Sequence, residues 1–282
     1  MYYLVRRTLM IEFIITILSF IGAFGFAGIW NPFDLDNIWL ILVCYALAAI
    51  VLYLLLSVLF IGISFLISLT INTKKEYEKQ SRFYGVMFSL LLEFVLDFFK
   101  VKINVKGMDK MPKDKKFLFV SNHISIYDTF VQVAALRKFP MAFISKPENF
   151  KIPIGNRYMV RCRYMALDRD NVRSGAIITK KASQMIASGD TNVGVYPEGT
   201  RNRTDETLID FKPGCFKSAV WAKSPIVISV VHNTNMIKKN IPWKRTEVVM
   251  EIIDVLEYED FKDLSTAEIG EIVREKMLNA LT

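Results

Sequence analysis

Histidine and cysteine are scarce here, with two of the former and three of the latter among 282 residues. Cys44, Cys162 and Cys215 stand far apart, with no pairing pattern and no Cys/His spacing suited to a metal. They argue against a disulfide framework or a zinc site and read as reduced, structural thiols. There are no internal repeats and no low-complexity tracts. No helix-turn-helix, zinc finger or aromatic RNA-binding signature accompanies the net charge of +8, which argues against nucleic acid as the partner. Charge itself is missing from long stretches. Residues 39–71 carry none, and 9–30 carry only Glu12, near the start.

What the chain has instead is apolar length. Hydrophobic residues make up 52%, and the mean hydropathy is +0.29. A basic chain with long apolar runs points to anionic lipid surfaces or phosphorylated substrates. Residues 9–30 are about long enough to cross a hydrocarbon core as a helix. A secretory signal would have a shorter apolar part and no second run directly behind it. Residues 31–37 contain Pro32, Asn31 and Asn37 as breakers, and their charges are acidic. Residues 39–71 form the second run, as one long tilted helix or as two pieces broken near Gly62. Arg6 and Arg7 precede the first span and Lys74, Lys75 and Lys79 follow the second. That asymmetry predicts a multi-pass hairpin in the cell membrane with both ends cytoplasmic and the acidic turn outside. Residues 82–100 are apolar again, with Glu93 and Asp97 four apart on one helical face. They read as an amphipathic helix lying in the interface, or as a third crossing.

From residue 101 short apolar runs alternate with helical patterns, which argues for an α/β domain. The expected strands are 103–105, 117–120, 142–144, 164–167, 193–196, 226–231 and 246–253. The expected helices are 129–139, 154–160, 174–187, 215–221 and 267–281. The fold class is a mixed, largely parallel sheet flanked by helices and preceded by a transmembrane helical hairpin. The domains are 1–72 for the hairpin, 73–101 for the interfacial helix and linker, and 102–282 for the α/β part.

His123 stands where the strand 117–120 hands over to a helix, and Asp128 follows five residues on. In α/β sheets that edge is where ligands bind. An imidazole becomes a general base when a carboxylate holds its other ring nitrogen. Ser125-x-x-Asp128 equally fits a capping box, and the two roles are compatible. Other strand ends carry Lys146, Asp168 with Arg169, and Pro197-Glu198-Gly199-Thr200-Arg201. Parallel strands would gather these groups on one rim. Arg201 is a planar fork suited to phosphate. Gly199 permits close backbone approach, Thr200 adds a donor, and Lys212 is a further candidate contact. His232 reads as a structural or strand-end residue.

Asn122-His123-x-x-x-x-Asp128 with Glu198-Gly199-Thr200-Arg201 resembles the glycerolipid acyltransferases, the 1-acylglycerol-3-phosphate acyltransferases. Leu167-Asp168-Arg169 and Pro225-Ile226-Val227 match two further blocks in order. Lys146 with Ile152-Pro153-Ile154-Gly155, and Phe211-Lys212-Pro213-Gly214, fit the same pattern. One departure is Arg163, where the second block usually opens with glycine.

The resemblance implies that His123 takes the proton of an acceptor hydroxyl while Asp128 holds the ring. It implies that Glu198, Gly199, Thr200 and Arg201 receive the acceptor phosphate, with Arg169, Lys146 and Lys212 assisting. The donor would be acyl-CoA or acyl-carrier protein, the acceptor a lysophospholipid drawn from membrane lipid, and no metal or organic cofactor is implied. Transfer to the sn-2 hydroxyl of lysophosphatidic acid is expected. Another lysophospholipid or glycerol 3-phosphate is the alternative acceptor. The competing classes are a membrane-bound lipid hydrolase, for which no serine or cysteine nucleophile motif is evident, and a non-catalytic lipid-binding scaffold.

Overall fold

The computed structural model describes residues 10–29, 38–168 and 171–282. The acidic turn 31–37, Arg6, Arg7 and Arg169 lie outside the described residues. The chain divides into two compact units at Thr70/Ile71.

The first unit holds α1 (Met10–Ile29) and α2 (Ile38–Leu69). The uncharged run is therefore one unbroken helix of 32 residues, about 48 Å at 1.5 Å per residue. Gly62 does not interrupt it, because neighbouring apolar side chains keep the helical pattern intact. It is the one helix among the described residues long and apolar enough to cross a membrane. The two helices pack on each other. The Tyr53 hydroxyl donates to Glu12 Oε1 at 3.1 Å, and the Phe24 and Tyr45 rings stack with centroids 6.0 Å apart. A methyl group at Gly22 would collide with Leu52, so the absent side chain permits the close approach.

The second unit is built on a seven-stranded sheet in the order β1-β7-β6-β2-β5-β3-β4. The strands are β1 (Val101–Lys106), β2 (Leu118–Ser121), β3 (Met141–Ser145), β4 (Met165–Ala166), β5 (Asn192–Val195), β6 (Ile226–His232) and β7 (Thr246–Leu256). Strands β6, β2, β5, β3 and β4 run parallel, while β7 is antiparallel to β6 and carries β1 with it. The sheet is thus mixed and mostly parallel. Its centre is the driest part: Leu118, Phe119 and Val120 of β2 and Ile226, Val227 and Ile228 of β6 are fully buried. A continuous apolar run is what a strand covered on both faces requires.

Helices flank the sheet in two groups. One comprises α3 (Arg82–Phe98), α4 (Tyr127–Ala135) and α5 (Gly155–Arg161); the other, α6 (Val172–Ala187), α7 (Lys217–Ala222) and α10 (Thr266–Leu281). Short α8 (Ile237–Asn240) and α9 (Tyr258–Phe261) fall where no helix was expected. The helix expected over 215–221 begins instead as a 3₁₀ turn at Pro213–Phe216, since Pro213 has no N–H to continue a longer helix backward. The strand expected over 164–167 keeps only two residues, because just Met165 and Ala166 find partners on β3.

Helix α3 is packed into this unit rather than laid open along its length. Its second half buries Leu91, Leu92, Phe94 and Leu96 together with Glu93 and Asp97. Glu93 is neutralised there by Arg137 at 2.6 Å, and Ser89 donates to Val133 O at 3.0 Å. Of its large apolar residues, Phe83 and Phe98 stand exposed.

Candidate functional site

Because β2 lies between β6 and β5, the loops that leave all three strands converge at one point on the carboxyl edge. Each contributes to the same imidazole. His123 comes from the β2 loop, and its Nδ1 lies 2.7 Å from Asp128 Oδ2. Asp128 is fully buried. The same Oδ2 accepts the backbone N–H groups of Ile124 and Ser125, each at 2.8 Å. Oδ1 accepts from the Thr234 hydroxyl, delivered by the loop after β6. With Asp128 placed as the acceptor of all these bonds, the His123 Nδ1–H donates to it and Nε2 is left free to accept.

Asp128 thus both meets His123 Nδ1 and accepts backbone N–H groups at the start of the helix. The Ser125 N–H bonds to the Asp128 carboxylate at 2.8 Å, but the residue at the N-cap is Ile126, which offers no side-chain cap, so the capping box expected over 125–128 does not form. The helix accordingly starts at Tyr127, two residues earlier than expected.

The β5 loop completes the clamp. Glu198 is buried, and its Oε1 accepts the His123 N–H at 2.6 Å while Oε2 accepts the Ile209 N–H at 3.3 Å. Burial pushes its carboxyl up to about 7, against the two backbone N–H groups that pull it down. On the far side, the Asn202 N–H reaches His123 O at 2.7 Å. Arg201 thus sits on the segment directly beside the imidazole's own backbone. Gly199 has φ +69°, in the left-handed region that glycine enters without steric cost, and a Cβ there would stand 3.1 Å from the Lys212 stem. The Lys212 N–H is itself bonded to Pro197 O at 2.6 Å, which fastens residue 212 to this loop.

Glu198, Gly199, Thr200 and Lys212 also line a cleft of about 630 Å³, which Asp168, Tyr196 and Trp221 share. That volume suits a ligand of moderate size. Lys146 stands exposed at the end of β3, outside the lining of this cleft. His232 is half-buried on β6, with its basicity lowered chiefly by burial. Among the described residues no group of three His, Cys, Asp or Glu side chains is placed to hold a metal ion.

Thr234 and Tyr196 were given no role from the sequence, and Asn122 stood only as the opening residue of the first motif. Thr234 is brought to Asp128 only by the sheet order. Asn122 extends the β2–β6 pairing with its side chain, donating to Val231 O at 3.0 Å and accepting from Val231 N at 2.8 Å. Tyr196, read from the sequence only as the end of a strand, lies flat on the imidazole with centroids 4.0 Å apart and planes 11° from parallel. Its hydroxyl donates to Gln132 Oε1 at 2.8 Å and accepts from Thr129 at 2.8 Å, so the ring cannot swing away freely.

Arg163 occupies the position where glycine was expected, and its φ is +61°. The backbone there takes the course that favours glycine, and the arginine tolerates it. Its guanidinium turns to Asp190 at 2.5 Å, and Asp190 also accepts the Gln80 N–H at 2.9 Å.

Residues 102–232 match the Acyltransferase family. The chain is 26% identical to a 1-acyl-sn-glycerol-3-phosphate acyltransferase of Borreliella burgdorferi, over 64% of this chain and 72% of that one. It is 28% identical to one of Saccharomyces cerevisiae, over 64% of this chain and 59% of that one. The fold resembles the crystal structure of the 1-acyl-sn-glycerophosphate acyltransferase PlsC from Thermotoga maritima, with TM-score 0.57, 21% identity and 96% of each chain covered.

Proposed function

We propose, for a chain whose residues 102–232 match the Acyltransferase family model, acyl transfer from a thioester to the sn-2 hydroxyl of lysophosphatidic acid, giving phosphatidic acid. The observation that carries this reading is the 2.7 Å bond from His123 Nδ1 to the buried Asp128, which reserves Nε2 for the acceptor hydroxyl. Nε2 removes the hydroxyl proton as the oxygen attacks the thioester carbonyl. Asp128 stabilises the imidazolium that results. The tetrahedral oxyanion then collapses, the C–S bond breaks, and the imidazolium returns its proton to the departing thiolate. The products are phosphatidic acid and a free thiol, with His123 neutral again.

Arg201 and Lys212, with Thr200 and the N–H groups of the Gly199 turn, receive the acceptor phosphate; Lys146 adds positive charge at the rim, and Arg169 stays a candidate from the sequence. Glu198 serves this site by fixing the backbone of His123 against the β5 loop. The donor is acyl-CoA or acyl-carrier protein. α1 and α2 form a membrane hairpin, with the cations before α1 and after α2 holding both ends on the cytoplasmic side.

The test is the purified full chain given labelled acyl-CoA and a panel of acceptors: lysophosphatidic acid, other lysophospholipids and glycerol 3-phosphate. Phosphatidic acid should form, and His123→Ala should abolish it while the protein stays folded. No transfer to any acceptor would refute the proposal, and fatty acid release without an acceptor would replace it with a hydrolase.

A further inference from the structure

Residues 211–246 contain no Asp or Glu but seven Lys and Arg. Four of these cations, Lys238, Lys239, Lys244 and Arg245, sit in the loop between β6 and β7. In the same loop Trp243 is 86% exposed, an unusual position for so large an apolar ring. The loop leaves the carboxyl end of β6, which is the edge that carries the catalytic pair, and its Thr234 touches Asp128.

Other exposed apolar groups gather at this edge. Thr246 N–H bonds to Lys100 O at 3.1 Å, which places the Trp243 loop beside the end of α3, where Phe98 is 60% exposed. The adjacent Phe99 ring meets Tyr127 at 6.0 Å, and beside Tyr127 stands Ile126, 51% exposed, inside the His123–Asp128 loop itself. Three chain segments, distant in sequence, thus expose one apolar residue each along a rim studded with cations. Aromatic rings with flanking Lys and Arg are the composition of a membrane interface, and the charge asymmetry selects an anionic one.

We propose that Trp243, Phe98 and Ile126, with Lys100, Lys244 and Arg245, form a docking surface for an anionic lipid leaflet, separate from the apolar helices of the first unit. Seated there, the carboxyl edge faces the bilayer and the His123 loop lies at headgroup depth, where a lysophospholipid reaches Nε2 without leaving the leaflet. Only the kinetic half of the test below depends on the acyl transfer proposed above.

The full chain carrying Cys44→Ala, Cys215→Ala and Trp243→Cys is labelled at position 243 with an environment-sensitive fluorophore; Cys162 is buried and remains. It is reconstituted in phosphatidylcholine nanodiscs with or without phosphatidylglycerol, and quenched with nitroxide lipids of graded depth. Shallow quenching that requires phosphatidylglycerol is expected, and Lys244→Ala/Arg245→Ala should weaken it by up to about five-fold per cation. In the unlabelled chain, Trp243→Ala/Lys244→Ala/Arg245→Ala should lower kcat/KM several-fold for an acceptor embedded in phosphatidylglycerol vesicles. A water-soluble short-chain acceptor should be used as well as before. A label that stays unquenched, or is quenched equally without phosphatidylglycerol, overturns the proposal. Charge-dependent quenching in a protein that transfers no acyl group would uphold this surface and refute the acyl transfer instead.

Discussion

Asp128→Asn separates the electrostatic role of this residue from its structural one. The amide has the shape of the carboxylate. Its oxygen, placed where Oδ2 now stands, still accepts from His123 Nδ1 and from the N–H groups of Ile124 and Ser125. Its NH₂ meets the Thr234 hydroxyl, which turns to accept. The helix start and the tautomer therefore survive. What disappears is the negative charge that, in the proposed mechanism, stabilises the imidazolium. At the observed 2.7 Å, with an effective dielectric of about 20, that attraction is about 6 kcal/mol. The corresponding loss in kcat is about four decades. Stability should change by no more than about 2 kcal/mol, since only the Thr234 O–H loses its acceptor. Phosphatidic acid formation from labelled acyl-CoA gives the first quantity and thermal unfolding in detergent the second. Near-normal turnover with a melting temperature lowered by about 10 °C would mean that Asp128 only caps a helix, and the general-base mechanism would fall.

Glu198→Gln tests the pH dependence of the brace. Its folded pKa of about 7 lies above the ordinary 4.5, so the folded state binds the proton more tightly and stability falls as pH rises from about 4.5 to 7, by about 3 kcal/mol. Unfolding measured across that range should lose this fall in the variant, and identical profiles would refute the assignment. Tyr196→Leu, which removes the ring stacked on His123, should lower kcat about ten-fold with little change in KM, and Tyr196→Phe should restore it; equal loss in both would point to the hydroxyl instead. Arg201→Ala should raise the acceptor KM by ten- to a hundred-fold, the worth of a charge-assisted bond to phosphate, with a smaller effect on kcat; an unchanged KM would remove Arg201 from the phosphate site. Arg163→Gly relieves left-handed strain of about 1–2 kcal/mol but leaves the Asp190 carboxylate with only the Gln80 N–H, at a cost of about 3 kcal/mol, so net destabilisation of about 1–2 kcal/mol is expected by denaturant titration, and a gain would contradict it.

Local pattern was sufficient for much of this protein. The charge-free run 39–71 dictated a long apolar helix, since it holds no charged residue and the hydroxyls of Ser57, Ser68 and Thr70 bond to carbonyls one turn back. Alternating strand and helix patterns dictated an α/β unit. His123 and Asp128 stand five apart around a turn, so their contact is almost a property of the peptide itself. The rest depended on strand order, which no local pattern encodes. Placing β2 between β6 and β5 brought Thr234 to Asp128 and Glu198 to the His123 backbone, across separations of 106 and 75 residues. The same order laid Tyr196 against the imidazole and set Thr246, at the end of the Trp243 loop, against Lys100. It also decided that Glu93 would be buried against Arg137 rather than face outward. Side-chain type shows what a residue can do, but its partners are chosen by burial of the central strands, which fixes every loop at their carboxyl ends at once.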